Sequence, residues 1–282
     1  SGLNNSAVSY KTSFTGNFTN DEIINDLRNE TYQHGQDNFN YTNLGYILYG
    51  IILEKLTDKS WKDHLRDELL TPLEMTNTSA YLASVYSKTD NGKLALPHSF
   101  VNGQIETGKF LKRDDTMHAA GGLITTVADM NKWLLAHLDQ SSDGQVTAKE
   151  LEDIHTDRIG LYSKNAGINN YGYGLGWMQG DWSEFDISWH SGSYPGYVSV
   201  HALIREENLG VVIMMSQQSR AIELILNYIL ADQLKVDSKK NLIKLEKQIQ
   251  YRIDQYRHFR DSLYRSTVEV DIQKLDLDYL IY

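Results

Sequence analysis

Three short segments carry residue types that could perform acid–base or acyl-transfer chemistry. They are Tyr41–Asn43, the run Ala-Ala-Gly-Gly at 119–122, and the run Trp-His-Ser-Gly-Ser at 189–193. A phenol, an amide and an imidazole can move protons and hold polar substrate atoms. Alone, each segment is weak evidence, because Thr42 or Asn43 would serve equally well as a helix cap and a strand histidine is more often structural than catalytic.

The role of His190 has three alternatives at this point: a catalytic group, a metal ligand, or a polar residue in a strand. The chain has no cysteine, no His-Glu-x-x-His motif and no clustered set of metal ligands. These absences disfavour a zinc hydrolase, and no metal or other cofactor is predicted. His118 and His201 are the nearest rival histidines by position in the sequence. Five further histidines are expected to be solvated or half-buried: His34, His64, His98, His137 and His155.

Composition sets outer limits on the kind of protein. The 282 residues suffice for one large or two modest domains with a sizeable core. A net charge of −10 disfavours nucleic acid as a partner, since phosphates would be repelled. No stretch approaches the roughly 18 apolar residues of a membrane helix. The absence of cysteine excludes disulfides and thiolate catalysis.

Helical periodicity dominates the first half of the chain. Helices are predicted over 21–28 with Asn20 as N-cap, from Leu44 to just before Asp58, and over 61–69. Residues 76–115 are expected to be irregular, with Asn-Gly turns at 91–92 and 102–103. Thr126 and Asp129 resemble a capping box at the start of the next helix.

Strand signals follow in the second half. Tyr197–Ile204 alternates, Leu209–Ser216 is a short apolar run, and 206–208 suits the turn between them. An apolar helix is predicted over Ala221–Leu234 and a charged amphipathic helix over 238–265. The fold class is therefore predicted as α/β of the α+β type, with an antiparallel sheet, flanking helices and a helical subdomain.

The three segments occur in an order and at separations that resemble the serine β-lactamase-like and penicillin-binding superfamily. Tyr41 precedes 119–122 by 78 residues and His190 by 149 residues. The run from Tyr41 into Pro-Leu-Glu-Met-Thr-Asn-Thr at 72–78 is similar to the family as well. Within this superfamily, the sequence is most similar to the group of class C β-lactamases, DD-carboxypeptidases, D-aminopeptidases and related esterases. The resemblance covers residues 1–235 and implies the β-lactamase/transpeptidase-like fold.

This resemblance implies a role for each motif residue. Tyr41 would shuttle protons to and from a nucleophilic serine, and Asn43 would hold the substrate's acyl amide. His190 would replace the lysine of the family's Lys-Thr-Gly motif and face Tyr41 across the cleft. Gly192 would leave room for substrate along the strand edge, and the Ser193 N–H would be an oxyanion donor. The family's Ser-x-x-Lys supplies the nucleophile.

The nucleophile expected from the resemblance is missing, because no serine in the sequence has a lysine three residues on. The opening Ser-Gly-Leu is similar to a family segment downstream of the nucleophile, so an N-terminally truncated chain is expected, inactive by itself and with an exposed sheet edge. The predicted division is a partial domain over 1–235, with a helical part at about 15–150 and a sheet part at about 165–235. A linker helix and a truncated region follow over 236–282.

Two functions from different classes stay open. The first is a fragment of a serine hydrolase that forms an acyl-enzyme with D-amino-acid peptides, amides or esters. The second is an inactive β-lactamase-like module that binds or regulates. A small molecule or peptide is the expected partner, membrane contact is disfavoured, and the oligomeric state is left open. The resemblance alone implies an extracytoplasmic location.

Overall fold

A computed structural model describes residues 6–28, 39–88, 94–101, 104–108, 111–139, 144–237, 239, 242–251 and 254. The described helices are α1 (Ser6–Tyr10, continued by π-helical turns over Lys11–Thr15), α2 (Asn20–Arg28), α3 (Leu44–Thr57), α4 (Trp61–Leu65, continued by π-helical turns over Arg66–Leu70), α5 (Leu82–Lys88), α6 (Val127–Leu138), α7 (Ala148–His155) and α8 (Ala221–Leu234). The strands are β1 (His98–Val101), β2 (Gln104–Thr107), β3 (Ile159–Asn165), β4 (Ile168–Tyr173), β5 (Met178–Trp182), β6 (Phe185–Tyr194), β7 (Tyr197–Ile204) and β8 (Leu209–Met215).

The main sheet is a six-stranded antiparallel meander in which β3 to β8 pair in chain order. Short turns suffice for this topology, because antiparallel neighbours can be joined by a few residues. Asn208, at φ 50°, closes the turn between β7 and β8 where the sequence predicted it. The α/β class with an antiparallel sheet is thereby confirmed.

Helices cover both faces of the sheet. In β7, Val200, Ala202 and Ile204 are buried on the face that packs against α8, whose Leu226 and Leu230 are fully buried. The intervening side chains of β7 face the opposite way, as the two-residue period of a strand requires. On that opposite face a second cluster joins Leu134 of α6 with Leu203 and Trp177.

The N-terminal helical part has its own core. Val8 of α1 and Ile23 and Leu27 of α2 pack against Leu44, Ile47 and Ile51 of α3. The spacing of the apolar residues in α3 is the helical one that predicted this element. The helix ends at Thr57 because Asp58 adopts the left-handed conformation at φ 52°.

The predicted N-cap of α2 was wrong by one residue. Asn20 is the first helical residue, and its side chain donates to Glu54 Oε2 at 3.1 Å. Thr19 occupies the cap instead: its hydroxyl accepts from Glu22 N at 3.2 Å, while the Glu22 carboxylate accepts from Thr19 N at 2.6 Å. This reciprocal pair satisfies two helix-end donors, whereas an asparagine cap would satisfy one.

The region 76–115 is more regular than predicted. It contains α5 and the β1–β2 hairpin, in which Val101 pairs with Gln104. The turns predicted at 91–92 and 102–103 lie outside the described residues. Further on, 242–251 is helical with Leu245 and Ile249 buried, whereas most of the predicted helix beyond it lies outside the described residues. The division at residue 235 stays a prediction.

The capping box predicted for α6 is only half formed. Thr126 does cap the helix, since its hydroxyl accepts from Asp129 N at 3.2 Å. The Asp129 carboxylate does not return to Thr126. It accepts instead from Asn77 N and Thr78 Oγ1, both at 2.8 Å, and thereby fixes the segment before α5 to α6.

Asp129 is 1% exposed, so its removal should be costly. Asp129→Ala is expected to lower the free energy of unfolding by about 3 kcal/mol, because two donors lose a charged acceptor inside the protein. Asp129→Asn, which keeps one acceptor oxygen, should lose about half as much. Urea titration measures both. Asp153→Asn, at a largely exposed position, is the control and should change little. An Asp129→Ala protein as stable as that control would contradict this assignment.

Candidate active site

The histidine motif lies in the second half of the long strand β6, which runs from Phe185 to Tyr194. Strand β6 begins at Phe185 because residues 185–189 pair with β5. The pairing with β7 runs from Ser188 to Tyr194. Among the described strands, the stretch from His190 to Tyr194 is therefore paired on the β7 side only. The other side is an open edge, and every second residue of it directs its N–H and C=O groups there.

A tight turn follows this strand. Pro195 and Gly196 connect β6 to β7, with Tyr194 paired to Tyr197 across them. Gly196 has φ +83°, and a Cβ there would lie 2.3 Å from Pro97. Glycine is needed at this position for both reasons.

Tyr41–Asn43 forms the lead-in to α3. The Thr42 hydroxyl accepts from Leu44 N at 3.2 Å, and the Asn43 side chain makes no capping bond. Of the two residues that could have capped the helix, Thr42 takes part and the Asn43 amide does not. Tyr41 is 36% exposed, so its ring borders solvent at the helix start.

The fold brings Tyr41 and His190 together although 149 residues separate them. Their ring centroids are 5.8 Å apart with an interplanar angle of 36°. Two further rings complete this group: Tyr173 lies 6.4 Å from Tyr41 and 5.9 Å from His190, and Phe39 lies 5.1 Å from Tyr173. The proximity predicted for the first and third motifs is what the structure shows.

Both ring nitrogens of His190 have partners. Nδ1 lies 2.7 Å from the Ser191 carbonyl oxygen, and Nε2 lies 3.0 Å from Tyr173 Oη. Burial lowers the pKa of His190 below its ordinary value, and the backbone contact to Ser191 opposes this only in part. The imidazole is therefore neutral at pH 7.

Gly192 and Ser193 are exposed on the open edge. A Cβ at Gly192 would lie 2.6 Å from Ser199 Oγ on β7. The absence of a side chain at Gly192 therefore leaves room for the Ser199 hydroxyl. Ser193 Oγ accepts from Gln218 Nε2 at 3.3 Å. Both residues thus lie on the open edge, while their contact with substrate stays a prediction.

Three further histidines lie beneath the site: His201 is half-buried, and His137 and His155 are buried. His201 pairs with His190 across β6 and β7, and their rings are 6.4 Å apart and nearly parallel. Below it, Trp177 contacts His201, His137 and His155 with centroid distances of 4.6, 5.1 and 4.9 Å. His137 and His155, expected to be solvated or half-buried, are 0% and 4% exposed and share a 2.8 Å hydrogen bond. That expectation was wrong, because α6 and α7 enclose the pair.

The Ala-Ala-Gly-Gly segment has a packing role in the described residues. A Cβ at Gly122 would lie 2.7 Å from the backbone of His118. His118 is buried, and its Nε2 lies 3.1 Å from Ser13 Oγ. Within the described part of the chain, Gly122 and His118 make no hydrogen bond or ring contact with Tyr41 or His190. The same part contains no group of three or more histidine or acidic residues arranged to hold a metal ion.

Tyr173 and Phe39 are the site residues that the sequence did not reveal. Tyr173 lies between two glycines in the run Tyr-Gly-Tyr-Gly at 171–174, which predicts only a glycine-rich strand. Its position beside His190 depends on the register of β4, β5 and β6, and no local pattern encodes that register.

Comparison with known proteins gives the family and the fold. A family model described as Beta-lactamase matches residues 1–235. Two solved structures are similar: the octameric penicillin-binding protein homologue from Pyrococcus abyssi (TM-score 0.66, 24% identity, 76% of this chain and 46% of that one) and the D-amino acid amidase from Ochrobactrum anthropi SV3 complexed with L-phenylalanine amide (TM-score 0.59, 23% identity, 77% and 61%).

Two curated relatives are also similar in sequence. Protein flp of Staphylococcus aureus is 22% identical over 203 residues, covering 72% of this chain and 38% of that protein. Unguisins hydrolase ungD' of Aspergillus campestris is 27% identical over 177 residues, covering 62% and 32%. The chain thus spans between about a third and two fifths of the length of these relatives. From the family match over most of its residues, the chain belongs to the Beta-lactamase family.

Proposed function

We propose that this chain forms one wall of a serine acyl-transfer site, and that its protein hydrolyses D-amino-acid peptides, amides or esters through an acyl-enzyme. The observation that carries the proposal is the 5.8 Å approach of Tyr41 to His190 beside the open edge of β6. Membership of the family and the similarity to an amidase support a hydrolase.

In the proposed reaction a serine Oγ attacks the substrate carbonyl carbon and gives up its proton. The bond from that carbon to the leaving nitrogen or oxygen then breaks, and Tyr41 carries the proton to the leaving group. Asn43 holds the acyl amide, and the Ser193 N–H stabilises the oxyanion. Water then attacks the acyl carbon, the bond from that carbon to the serine Oγ breaks, the carboxylic acid leaves, and one proton of the water returns to the serine.

The nucleophile is proposed to come from residues other than these 282. Two observations support this proposal. The sequence contains no Ser-x-x-Lys, and the chain covers only 38% of the length of protein flp and 46% of the length of the Pyrococcus abyssi penicillin-binding protein homologue. The same absence favours the second candidate, a binding or regulatory module that keeps the groove without the chemistry. An extracytoplasmic location, which rests on the resemblance, is part of the first proposal.

The state of His190 bears on the substrate class. A lysine at this position offers a permanent cation to a substrate carboxylate, whereas His190 is neutral at pH 7 because burial lowers its pKa. We therefore favour amides and esters over substrates held by a free carboxylate.

The experiment is covalent labelling of the protein as it occurs in its source cells. A fluorescent penicillin and a fluorophosphonate are applied, and mass spectrometry locates the labelled residue. The hydrolase predicts one labelled serine, followed by a lysine three residues on, outside the 282 residues. A folded protein that neither probe labels would overturn the hydrolase and leave the binding module. None of the described helices is long and apolar enough to cross a membrane.

A further inference from the structure

Tyr173 makes the most direct contact with His190 of any side chain in the described site. Its hydroxyl oxygen lies 3.0 Å from His190 Nε2, and the two rings meet edge to face at 75° with centroids 5.9 Å apart. The contact therefore combines a hydrogen bond of ordinary length with a favourable ring geometry.

The partners of His190 determine where its proton lies. A carbonyl oxygen can only accept, so the 2.7 Å contact with Ser191 O requires the proton on Nδ1. In a neutral imidazole Nε2 is then an acceptor, and the Tyr173 hydroxyl must be the donor. With both nitrogens engaged, His190 has no N–H left for a substrate.

Tyr173 is itself held from several sides. Its backbone pairs with Ile159 of β3 and Met178 of β5, so it lies between two strands. Its N–H also donates to Asp157 Oδ1 at 3.3 Å. On the cleft side its ring packs against Phe39 and Tyr41. A side chain fixed in this way can hold the orientation of a neighbour.

We propose that Tyr173 is a positioning residue of the site: its hydroxyl donates to His190 Nε2, fixes the imidazole in the Nδ1–H form, and holds it as an uncharged ring beside Tyr41. The expected effect of Tyr173 on acylation rests on the proposed function. The hydrogen bond to His190 and the tautomer that it fixes do not. This hydrogen bond makes His190 a spacer and orienting group for Tyr41 instead of a donor to the substrate.

The structural test uses the ¹⁵N-labelled 282-residue chain at neutral pH. Long-range ¹H–¹⁵N spectra report the protonation of each ring nitrogen, and His190→Gln assigns the signals. We expect a protonated Nδ1 and a hydrogen-bonded, unprotonated Nε2. In the Tyr173→Phe variant, the His190 Nε2 signal should move to the position of an unprotonated nitrogen that accepts no hydrogen bond. Tyr171→Phe is the matched control on the same strand, because the Tyr171 hydroxyl contacts Asp186 instead.

A protonated Nε2 in the unsubstituted chain would overturn the proposal even if Tyr173→Phe failed to fold. An Nε2 signal unchanged in a folded Tyr173→Phe chain would overturn it as well. In the protein that the penicillin labels, Tyr173→Phe should slow acylation roughly five- to tenfold at saturating probe, the worth of one hydrogen bond, with unchanged probe affinity. Absence of labelling by both the penicillin and the fluorophosphonate in the unsubstituted protein would refute the hydrolase, while the ring spectra would still decide the role of Tyr173.

Discussion

Replacing Tyr41 by phenylalanine is expected to slow acylation by about 10²–10⁴-fold in the protein that carries the nucleophile. The substitution removes the hydroxyl that the proposal uses to move the proton from the serine to the leaving group. The ring and its packing against His190 and Tyr173 are kept, so binding of the probe should change little. The rate of covalent labelling at saturating fluorescent penicillin measures the effect.

Tyr49→Phe is the matched control for this substitution. Tyr49 lies on α3, the helix that Tyr41 leads into, and is 64% exposed. Its variant should label at the rate of the unsubstituted protein. If Tyr41→Phe labelled within about twofold of Tyr49→Phe, the proton-transfer role of Tyr41 would be wrong, since the loss of a general acid–base group is much larger than that.

Acidification from pH 6.5 to about 4.5 is expected to cost the fold several kcal/mol. Burial lowers the pKa of His201 to about 3, and the neighbouring His190 and His137 lower it further. Burial likewise lowers the pKa of His118 to about 3, helped by the charge of Lys112. The enclosed pair of His137 and His155 has lowered pKa values for the same reason.

The sign follows from which state binds protons. Below pH 6.5 the unfolded chain protonates these histidines while the folded chain keeps them neutral, so stability falls as the pH falls towards the folded pKa. Each such histidine costs roughly 1.4 kcal/mol per pH unit, which gives about 5 kcal/mol for His118 and His201 together at pH 4.5. Paired carboxylates such as Asp67, with a pKa of about 2, lose their stabilising effect only at lower pH.

Urea unfolding at pH 7.5, 6.0, 5.0 and 4.5, chosen to span roughly this window, measures the loss. His201→Gln should reduce the slope of unfolding free energy against pH, whatever its effect on stability at pH 7.5. Ile52→Val is the control, because Ile52 is 53% exposed and has no ionisable group, so the slope should be unchanged. An unfolding free energy that stayed level from pH 6.5 to 4.5 would contradict the buried neutral histidines.

The sequence predicted best the features set by local periodicity. The apolar spacing of α3, the alternation of β7 and the turn at Asn208 all appear where expected, because each is encoded within about a dozen neighbouring residues. The meeting of Tyr41 with His190 came from the family resemblance and is confirmed by their ring distance.

Contacts between distant segments were beyond such patterns. Asp129 was assigned to its own helix end but binds Thr78, 51 residues earlier. His155 was expected to be solvated or half-buried because nothing local shows that α6 encloses it. Tyr173 reaches His190 only through the register of three strands. In each case the side chain can form hydrogen bonds with several kinds of partner, and tertiary packing determines which partner lies beside it.

The most direct test of the central claim is a structure of the acylated protein. The proposal predicts the acyl carbonyl oxygen about 2.7–3.1 Å from Ser193 N and the esterified serine Oγ within hydrogen-bonding reach of Tyr41 Oη. It also predicts that the acyl chain runs along the open edge of β6 beside Gly192, beyond the last β5 pair, which joins Trp189 to Met178. An acyl group bound elsewhere, with no contact to Tyr41 or Ser193, would contradict the assignment of this wall as part of the active site.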